Sequence, residues 1–119
     1  MLQTNLKHLL SAKDLEETLA RNENVMVCCG RMGPMCIPVY EVMDDLQGEY
    51  PRVAFRDMEF DSADAVVIRK LPECRNFQGL PFTVYFKNGK VVKATSSIQN
   101  RDQITSILDT QFPAKVVAQ

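Results

Sequence analysis

The sequence has no tryptophan, a single histidine and no long apolar run, and these absences narrow the range of functions. None of its apolar stretches approaches the ~20 residues that a membrane-spanning helix needs. The net charge is −1, so no basic field favours nucleic acid or an anionic membrane surface. A glycine-rich nucleotide-binding fingerprint and a Ser-His-Asp hydrolase pattern are also missing. We therefore expect neither nucleic acid nor a membrane as a partner.

The beginning of the chain predicts no targeting segment. The first ten residues, MLQTNLKHLL, lack the charged start and long apolar run that are typical of a signal peptide. We therefore expect a cytoplasmic protein. Because 119 residues without repeats, linkers or low-complexity tracts suffice for one core, we predict a single domain over residues 1–119, acting as a monomer.

One short segment concentrates the cysteines. Residues 25–38, VMVCCGRMGPMCIP, hold three of the four cysteines together with two glycines, two prolines and three methionines. In the cytoplasm such clusters are more often redox or metal sites than structural disulfides. The spacing is not Cys-x-x-Cys. The segment is therefore a redox site with altered spacing, a metal site, or the remnant of a site that has lost its activity.

Hydrophobic periodicity predicts helices that alternate with strands. Ser11 is the predicted N-cap of the first helix, and Asn100 with Gln103 forms a predicted capping box before the last. Asn88-Gly89 between two β-rich runs predicts a hairpin, because both turn residues need positive φ. The helices are predicted at 11–22, from about 38 to Gly48, at 62–71 and at 100–112, and the strands at 24–29, 52–61 and on both sides of Asn88-Gly89. This order predicts an α/β fold with a central mixed sheet of four to five strands and helices on both faces.

The segment GLPFTVYFKNGKVV (79–92) is similar to the part of the thioredoxin family in which a cis-proline precedes a strand and a Lys-Asn-Gly turn. Pro81 matches that cis-proline. The strand 24–29, the Gly-Pro loop and the next helix match the family's active-site region, and the resemblance extends from about Leu6 to Phe112. It implies a thioredoxin-like fold and a thiol–disulfide oxidoreductase that needs no cofactor. It also implies protein disulfide substrates and a thioredoxin-reductase-type electron donor.

The active-site loop departs from the family's Trp-Cys-Gly-Pro-Cys. When the Gly-Pro dipeptides are aligned, Met32 and Met35 occupy the two cysteine positions. When the strand and helix patterns are aligned instead, Gly33 and Cys36 occupy them. Neither register restores the two-cysteine motif, and both remain open.

Cys29 and Cys36 enclose the loop as Cys-x6-Cys, and we predict that they form the redox pair. Cys28 and Cys29 point to opposite faces of a strand, so only one of them faces Cys36. We prefer Cys29, with Cys28 as the fallback partner. Pro38 places Cys36 within a residue or two of a helix N-terminus, where unpaired N–H groups stabilise a thiolate that can attack a disulfide. For Cys74, a packing or surface role is expected.

Three further positions bear on acid–base chemistry. In the resemblance, Met26 or Val27 occupies the position of the family's buried acid, and Asp57 that of its buried lysine. If Asp57 faces the site, burial raises its pKa and it can accept the proton of the resolving thiol. A charged strand end that faces solvent is the equally open alternative. His8 is expected at the surface, with no role as ligand or base.

The surface around the loop supports two alternatives. The predicted substrate-binding residues are Met32, Gly33, Pro34, Leu80 and Pro81, and the last offers backbone hydrogen bonds to an extended peptide. Without redox activity, the same surface with Phe77 predicts a protein-binding module. A weaker alternative is a soft-metal carrier, because thiolate and thioether ligands suit Cu(I). Its ligands would come from Met26, Met32, Met35, Cys29 and Cys36. The cysteine spacing does not indicate a zinc or iron–sulfur site.

Overall fold

The structure, a computed structural model, describes residues 2–114 and has five strands and four α-helices within them. The strands are β1 (Lys7–His8), β2 (Asn24–Gly30), β3 (Val53–Glu59), β4 (Phe82–Lys87) and β5 (Lys90–Ser96). The helices are α1 (Ala12–Arg21), α2 (Ile37–Glu49), α3 (Val66–Arg69) and α4 (Arg101–Gln111). Short 3-10 turns lie at Ala63–Ala65 and Pro72–Cys74. None of the helices described in 2–114 is long and apolar enough to cross a membrane.

The strands form one mixed sheet in the order β1-β3-β2-β4-β5. β1 and β2 run parallel to β3, whereas β4 is antiparallel to β2 and β5 is antiparallel to β4. The predicted α/β architecture is confirmed. β1 was not predicted, because two residues give no periodicity, and its pairing with β3 joins positions far apart in the chain.

Each face of the sheet has its own apolar core. Met26 and Cys28 of β2 pack with α2 and α4 on one face, which we call the α2 face. Val25, Val27 and Cys29 pack with α1 and α3 on the other, which we call the α1 face. β2 is therefore the central buried strand, and its alternate residues belong to different cores.

Local signals are confirmed where a few neighbouring residues determine them. Asn88 and Gly89 have φ values of 52° and 79°, as the hairpin turn requires. The Ser11 side chain accepts a hydrogen bond from the Asp14 N–H, and Asn100 forms the predicted capping box.

Two helix boundaries were wrong. Gly48 lies inside α2 rather than at its end, because buried residues on this helix, such as Leu46, outweigh the ~1 kcal/mol that glycine costs in a helix. The predicted third helix is a 3-10 turn followed by the four residues of α3. All three residues from Val66 to Ile68 are β-branched, which lowers helix propensity.

Candidate functional site

Cys36 lies where the loop that follows β2 enters α2. It is the N-cap of α2 and is 3% exposed. Its Sγ accepts a hydrogen bond from the Arg31 N–H at 3.4 Å. A Cβ atom added to Gly30 would lie 2.9 Å from the Cys36 Sγ and 3.2 Å from the Cβ of Pro81. The missing side chain of Gly30 thus allows Cys36 and Pro81 to approach each other over the end of β2, and the Leu80–Pro81 peptide bond is cis.

The loop is fixed by hydrogen bonds from both of its ends. The N–H groups of Cys36 and Ile37 donate to the Gly33 carbonyl at 3.1 and 3.0 Å, so helical turns begin within the loop. The Tyr40 hydroxyl donates to the Arg31 carbonyl at 3.1 Å. It lies 2.7 Å from the same hypothetical Cβ on Gly30, so any larger residue would displace both Tyr40 and Cys36.

The structure reverses the expected orientation of the adjacent cysteines. Cys28 belongs to the α2 face together with Cys36, whereas Cys29 belongs to the α1 face together with Cys74. The preference for Cys29 as the residue that faces Cys36 was wrong, and the fallback, Cys28, occupies that position. All four cysteines are buried free thiols. Cys74 has the expected packing role, in the core rather than on the surface.

The thiols of Cys28 and Cys29 differ in their surroundings. Burial raises the pKa of Cys28 well above its ordinary value, and a hydrogen bond from the Thr83 hydroxyl at 3.8 Å acts in the opposite direction. Burial raises the pKa of Cys29 to about 12, and the neighbouring Cys74 adds to this. Neither thiol ionises readily in the resting protein, so Cys28 needs a proton acceptor if it is to react.

Asp57 is buried and faces the site, which settles the two alternatives left by the sequence. It is paired with Cys28 across β3 and β2, and its exposed fraction is 0%. Burial raises its pKa, whereas hydrogen bonds with Thr4 and His8 act to lower it. The His8 Nδ1 lies 2.7 Å from Oδ1, and the Thr4 hydroxyl donates to Oδ2. The expectation that His8 is only a surface residue was wrong, because its side chain is 23% exposed and its ring contacts the buried carboxyl group.

An apolar groove of about 430 Å³ opens beside Cys36. The Phe60 and Phe77 rings are 5.7 Å apart, and the Arg31 guanidinium lies over Phe60 while bonding Asp61 at 2.7 and 2.9 Å. The groove is lined by Arg31, Gly33, Pro34, Met35, Cys36, Phe60, Phe77, Gly79 and Leu80. Three of the predicted substrate-binding residues, Gly33, Pro34 and Leu80, line it. Pro81 adjoins it at Cys36, whereas Met32 is not among the lining residues.

The proposed soft-metal ligands do not come together. Met26 is fully buried in the core of the α2 face, whereas Met32 and Met35 are 42% and 44% exposed. Cys29 lies on the other side of the sheet from Cys36. Across residues 2–114, no group of three or more His, Cys, Asp and Glu side chains could hold a metal ion.

Solved structures share this arrangement of strands, loop and helices. A Plasmodium falciparum thioredoxin superposes with a TM-score of 0.72 at 20% identity, over 88% of this chain and 98% of that one. The Fasciola hepatica thioredoxin superposes with a TM-score of 0.74 at 21% identity, over 88% of this chain and 98% of that one. Chlamydomonas reinhardtii thioredoxin f2 superposes with a TM-score of 0.76 at 16% identity, over 93% of this chain and 100% of that one. The chain has a thioredoxin fold.

At these identities the likeness shows the fold alone. No protein-family model matches the sequence. No curated protein matches it either. The function of this thioredoxin fold therefore has to be argued from its own residues.

Sequence reasoning missed several residues of the site. It gave Gly30 and Tyr40 no place in the site, although both lie against the Cys36 thiol or its loop. Thr4 and His8 were missed because they reach Asp57 only through β1. A glycine directly after a fully apolar strand was the one available signal, because it often marks a close approach of another group.

Proposed function

We propose that the protein catalyses thiol–disulfide exchange, with Cys36 as the attacking thiol and Cys28 as the resolving thiol. The position of Cys36 is the observation that carries this proposal. Its Sγ lies at the start of α2 over Gly30, near the side chain of Pro81, and Cys36 borders the apolar groove. A helix N-terminus stabilises a thiolate, and a neighbouring backbone can hold an extended disulfide-bearing peptide.

The proposed reaction has two steps. The Cys36 thiolate attacks one sulfur of the substrate disulfide, so that a mixed disulfide forms and the other substrate sulfur leaves as a thiolate. Cys28, once deprotonated, attacks the Cys36 sulfur, and the second substrate thiol is released. The protein dithiol is oxidised to a disulfide while the substrate disulfide is reduced to two thiols. A reductase-type donor then restores the dithiol.

The second step needs movement and a base. Cys28 and Gly30 lie two residues apart on one face, which corresponds to ~6.6 Å along a strand. Because the Cys36 Sγ lies over Gly30, it must move toward Cys28 to form the bond. Asp57 is the base in this proposal, since it is buried in the neighbouring strand position and its pKa is raised by burial. A raised carboxylate pKa improves proton transfer from a thiol.

The groove supports protein disulfides as the substrate class. Its aromatic and aliphatic lining suits apolar side chains next to the reacting cysteine of an extended peptide, and Pro81 adjoins it. The Arg31–Asp61 ion pair lies at the exposed rim of the groove, and the two charges neutralise each other. We propose substrates with apolar residues beside the disulfide rather than strongly charged ones.

Disulfide mapping tests this function directly. The reduced protein is mixed with a small aromatic disulfide, released thiols are counted, and the product is digested and analysed by mass spectrometry. Two released thiols and a Cys28–Cys36 bond that dithiothreitol reverses are expected. A Cys29–Cys36 bond would restore the original pairing and refute the assignment of Cys28, and four unreacted thiols would refute the activity.

The groove also favours a second candidate, a protein-binding module without redox activity. Met35 and Phe77 are large apolar side chains that remain exposed at its edge. The two candidates differ in their dependence on sulfur. The wild type and the Cys28→Ser/Cys36→Ser double variant are each mixed with a disulfide-bearing peptide and with its reduced form. If both proteins capture both forms equally, the binding module is favoured.

A further inference from the structure

One row of polar side chains crosses the α2 face of the sheet. Strand pairing places His8 beside Asp57, Asp57 beside Cys28, and Cys28 beside Thr83. The row continues to Thr95 on β5, so each of the five strands in residues 2–114 contributes one member. Paired residues point to the same face, and neighbouring strands lie ~4.8 Å apart. In the next row on this face, the members on β2, β3 and β4 are Met26, Phe55 and Tyr85, which are apolar except for the Tyr85 hydroxyl.

Strand pairing places Asp57 next to Cys28, and a side-chain contact joins Asp57 to the edge of the sheet. Asp57 is 0% exposed, whereas the His8 side chain is 23% exposed and contacts Asp57 at 2.7 Å. His8 also lines a polar surface cavity of about 230 Å³. The Thr4 hydroxyl donates a hydrogen bond to the other carboxylate oxygen of Asp57. The Thr4 hydroxyl oxygen in turn accepts a hydrogen bond from the Leu6 N–H at 3.0 Å. His8 is therefore the titratable contact through which Asp57 reaches solvent.

We propose that His8 carries the proton of Cys28 from Asp57 to solvent at the β1 edge. This inference rests on the proposed function and identifies a positioning and proton-carrying residue for its second step. When the Cys28 thiolate forms, its proton moves to the Asp57 carboxylate. His8 then accepts that proton from Asp57, and the exposed part of its ring returns it to water. No electrons move in this relay, and Asp57 is left ionised for the next turnover.

Other charged groups near the relay are arranged at its two ends. On the α2 side, Tyr40 and Cys36 lie close enough to interact with Cys28 and Asp57. Burial raises the pKa of Tyr40, so its hydroxyl stays neutral beside the relay. The groups that share surface cavities with His8 are Lys7, Asp14, Glu17, Arg21, Arg56 and Glu59. They are of mixed sign, so no single charge opposes proton release there.

The relay is tested by separating the two thiol-release steps. A Cys29→Ala/Cys74→Ala background leaves Cys28 and Cys36 as the reacting pair, and 5,5′-dithiobis(2-nitrobenzoate) is mixed with it in stopped flow. The first chromophore reports attack by Cys36 and the second reports resolution by Cys28. His8→Asn keeps a donor to Asp57 but cannot carry a proton. It is expected to slow the second release about 10-fold and leave the first within about twofold.

Two controls make the result specific. Lys7→Ala changes the adjacent residue on the opposite side of β1 and should alter neither release. His8→Ala opens space at the ring position, and added imidazole should restore its second release, which a purely structural role of His8 would not allow. If the second release in His8→Asn matches the background protein, or imidazole restores nothing, the relay is refuted. If the background protein releases fewer than two chromophores, the proposed function fails and the relay fails with it.

Discussion

Cys28 and Cys29 are adjacent, equally buried and of the same type, yet the two faces of the sheet give them different chemistry. The row through Cys28 is polar, with Asp57 on one side and Thr83 on the other. The row through Cys29 is apolar, with Met58 and Phe82 as its neighbours. A thiol with a carboxylate beside it can lose its proton within the protein, whereas a thiol among apolar groups cannot.

The comparison shows that burial alone does not make a cysteine inert. Burial is the main cause of the raised pKa of both thiols. Each has a second thiol on its own face, Cys36 for Cys28 and Cys74 for Cys29, but only Cys28 has a hydrogen-bond donor and a carboxylate paired with it on the next strand. The α2 face therefore holds the groups that the proposed exchange needs, whereas Cys29 on the α1 face has no carboxylate paired beside it.

Replacing the sulfur of Cys36, the proposed attacking thiol, should have the largest effect on activity. Cys36→Ser is expected to lower the rate of disulfide reduction by at least about 1,000-fold, because a neutral hydroxyl replaces the thiolate nucleophile. Cys29→Ala, on the α1 face, should stay within about threefold of wild type. The assay is reduction of a protein disulfide coupled to dithiothreitol. Comparable losses in both variants would erase the distinction between the faces.

The next test changes the residue beside each cysteine. Asp57→Asn keeps the shape of the side chain but removes the base, so the second thiol release should slow about 100-fold. Met58→Leu makes a change of similar size beside Cys29, and its two releases should match wild type. Stopped-flow counting of released thiols measures both. A second release in Asp57→Asn that keeps its wild-type rate would exclude Asp57 as the base.

Packing around the thiols gives a smaller effect on stability. Gly30→Ala puts a methyl group 2.7 Å from the Tyr40 hydroxyl and 2.9 Å from the Cys36 Sγ, which should lower the free energy of unfolding by about 1–3 kcal/mol. Gly33→Ala is the matched control, since nothing lies within 4 Å of its added Cβ. Urea denaturation compares the two. Equal stabilities would mean that Cys36 is not held against Gly30.

The residues in these tests show which features a sequence can specify. Asn88-Gly89, Ser11 and Asn100 were predictable because each acts on neighbours within a few residues. Alternation predicted that Cys28 and Cys29 oppose each other. It could not assign their faces, because both faces of β2 are apolar and the choice depends on the side on which α2 packs.

The same limit applies to the acid–base residues. The direction of Asp57 was left open because its strand is buried on both faces. His8 was assigned to the surface because its partner lies 49 residues away and β1 is only two residues long. Long-range pairing, rather than local preference, placed both of them in the site.

The smallest test uses pH to compare a buried carboxylate with an exposed one. Burial raises the pKa of Asp57, so between the unfolded and folded pKa values the folded state binds more protons, and stability falls as pH rises through that window. Asp57→Asn removes this term. Its stability relative to wild type should increase with pH by about 1.4 kcal/mol for each unit of raised pKa.

Asp61 is the exposed control. The hydrogen bond from Arg31 lowers the pKa of Asp61, so the contribution of Asp61 to the pH dependence of stability has the opposite sign: that stability is present above the unfolded pKa and is lost as pH falls. Asp61→Asn should therefore lose stability relative to wild type as pH rises, and by less, since solvent screens the exposed pair. Urea titrations from pH 2 to 8 cover both windows, because the Asp61 term changes below its unfolded pKa and the Asp57 term above it. Slopes of the same sign would show that the hydrogen bonds from Thr4 and His8 favour the Asp57 carboxylate more than burial disfavours it. That result would remove the reason for treating Asp57 as a base.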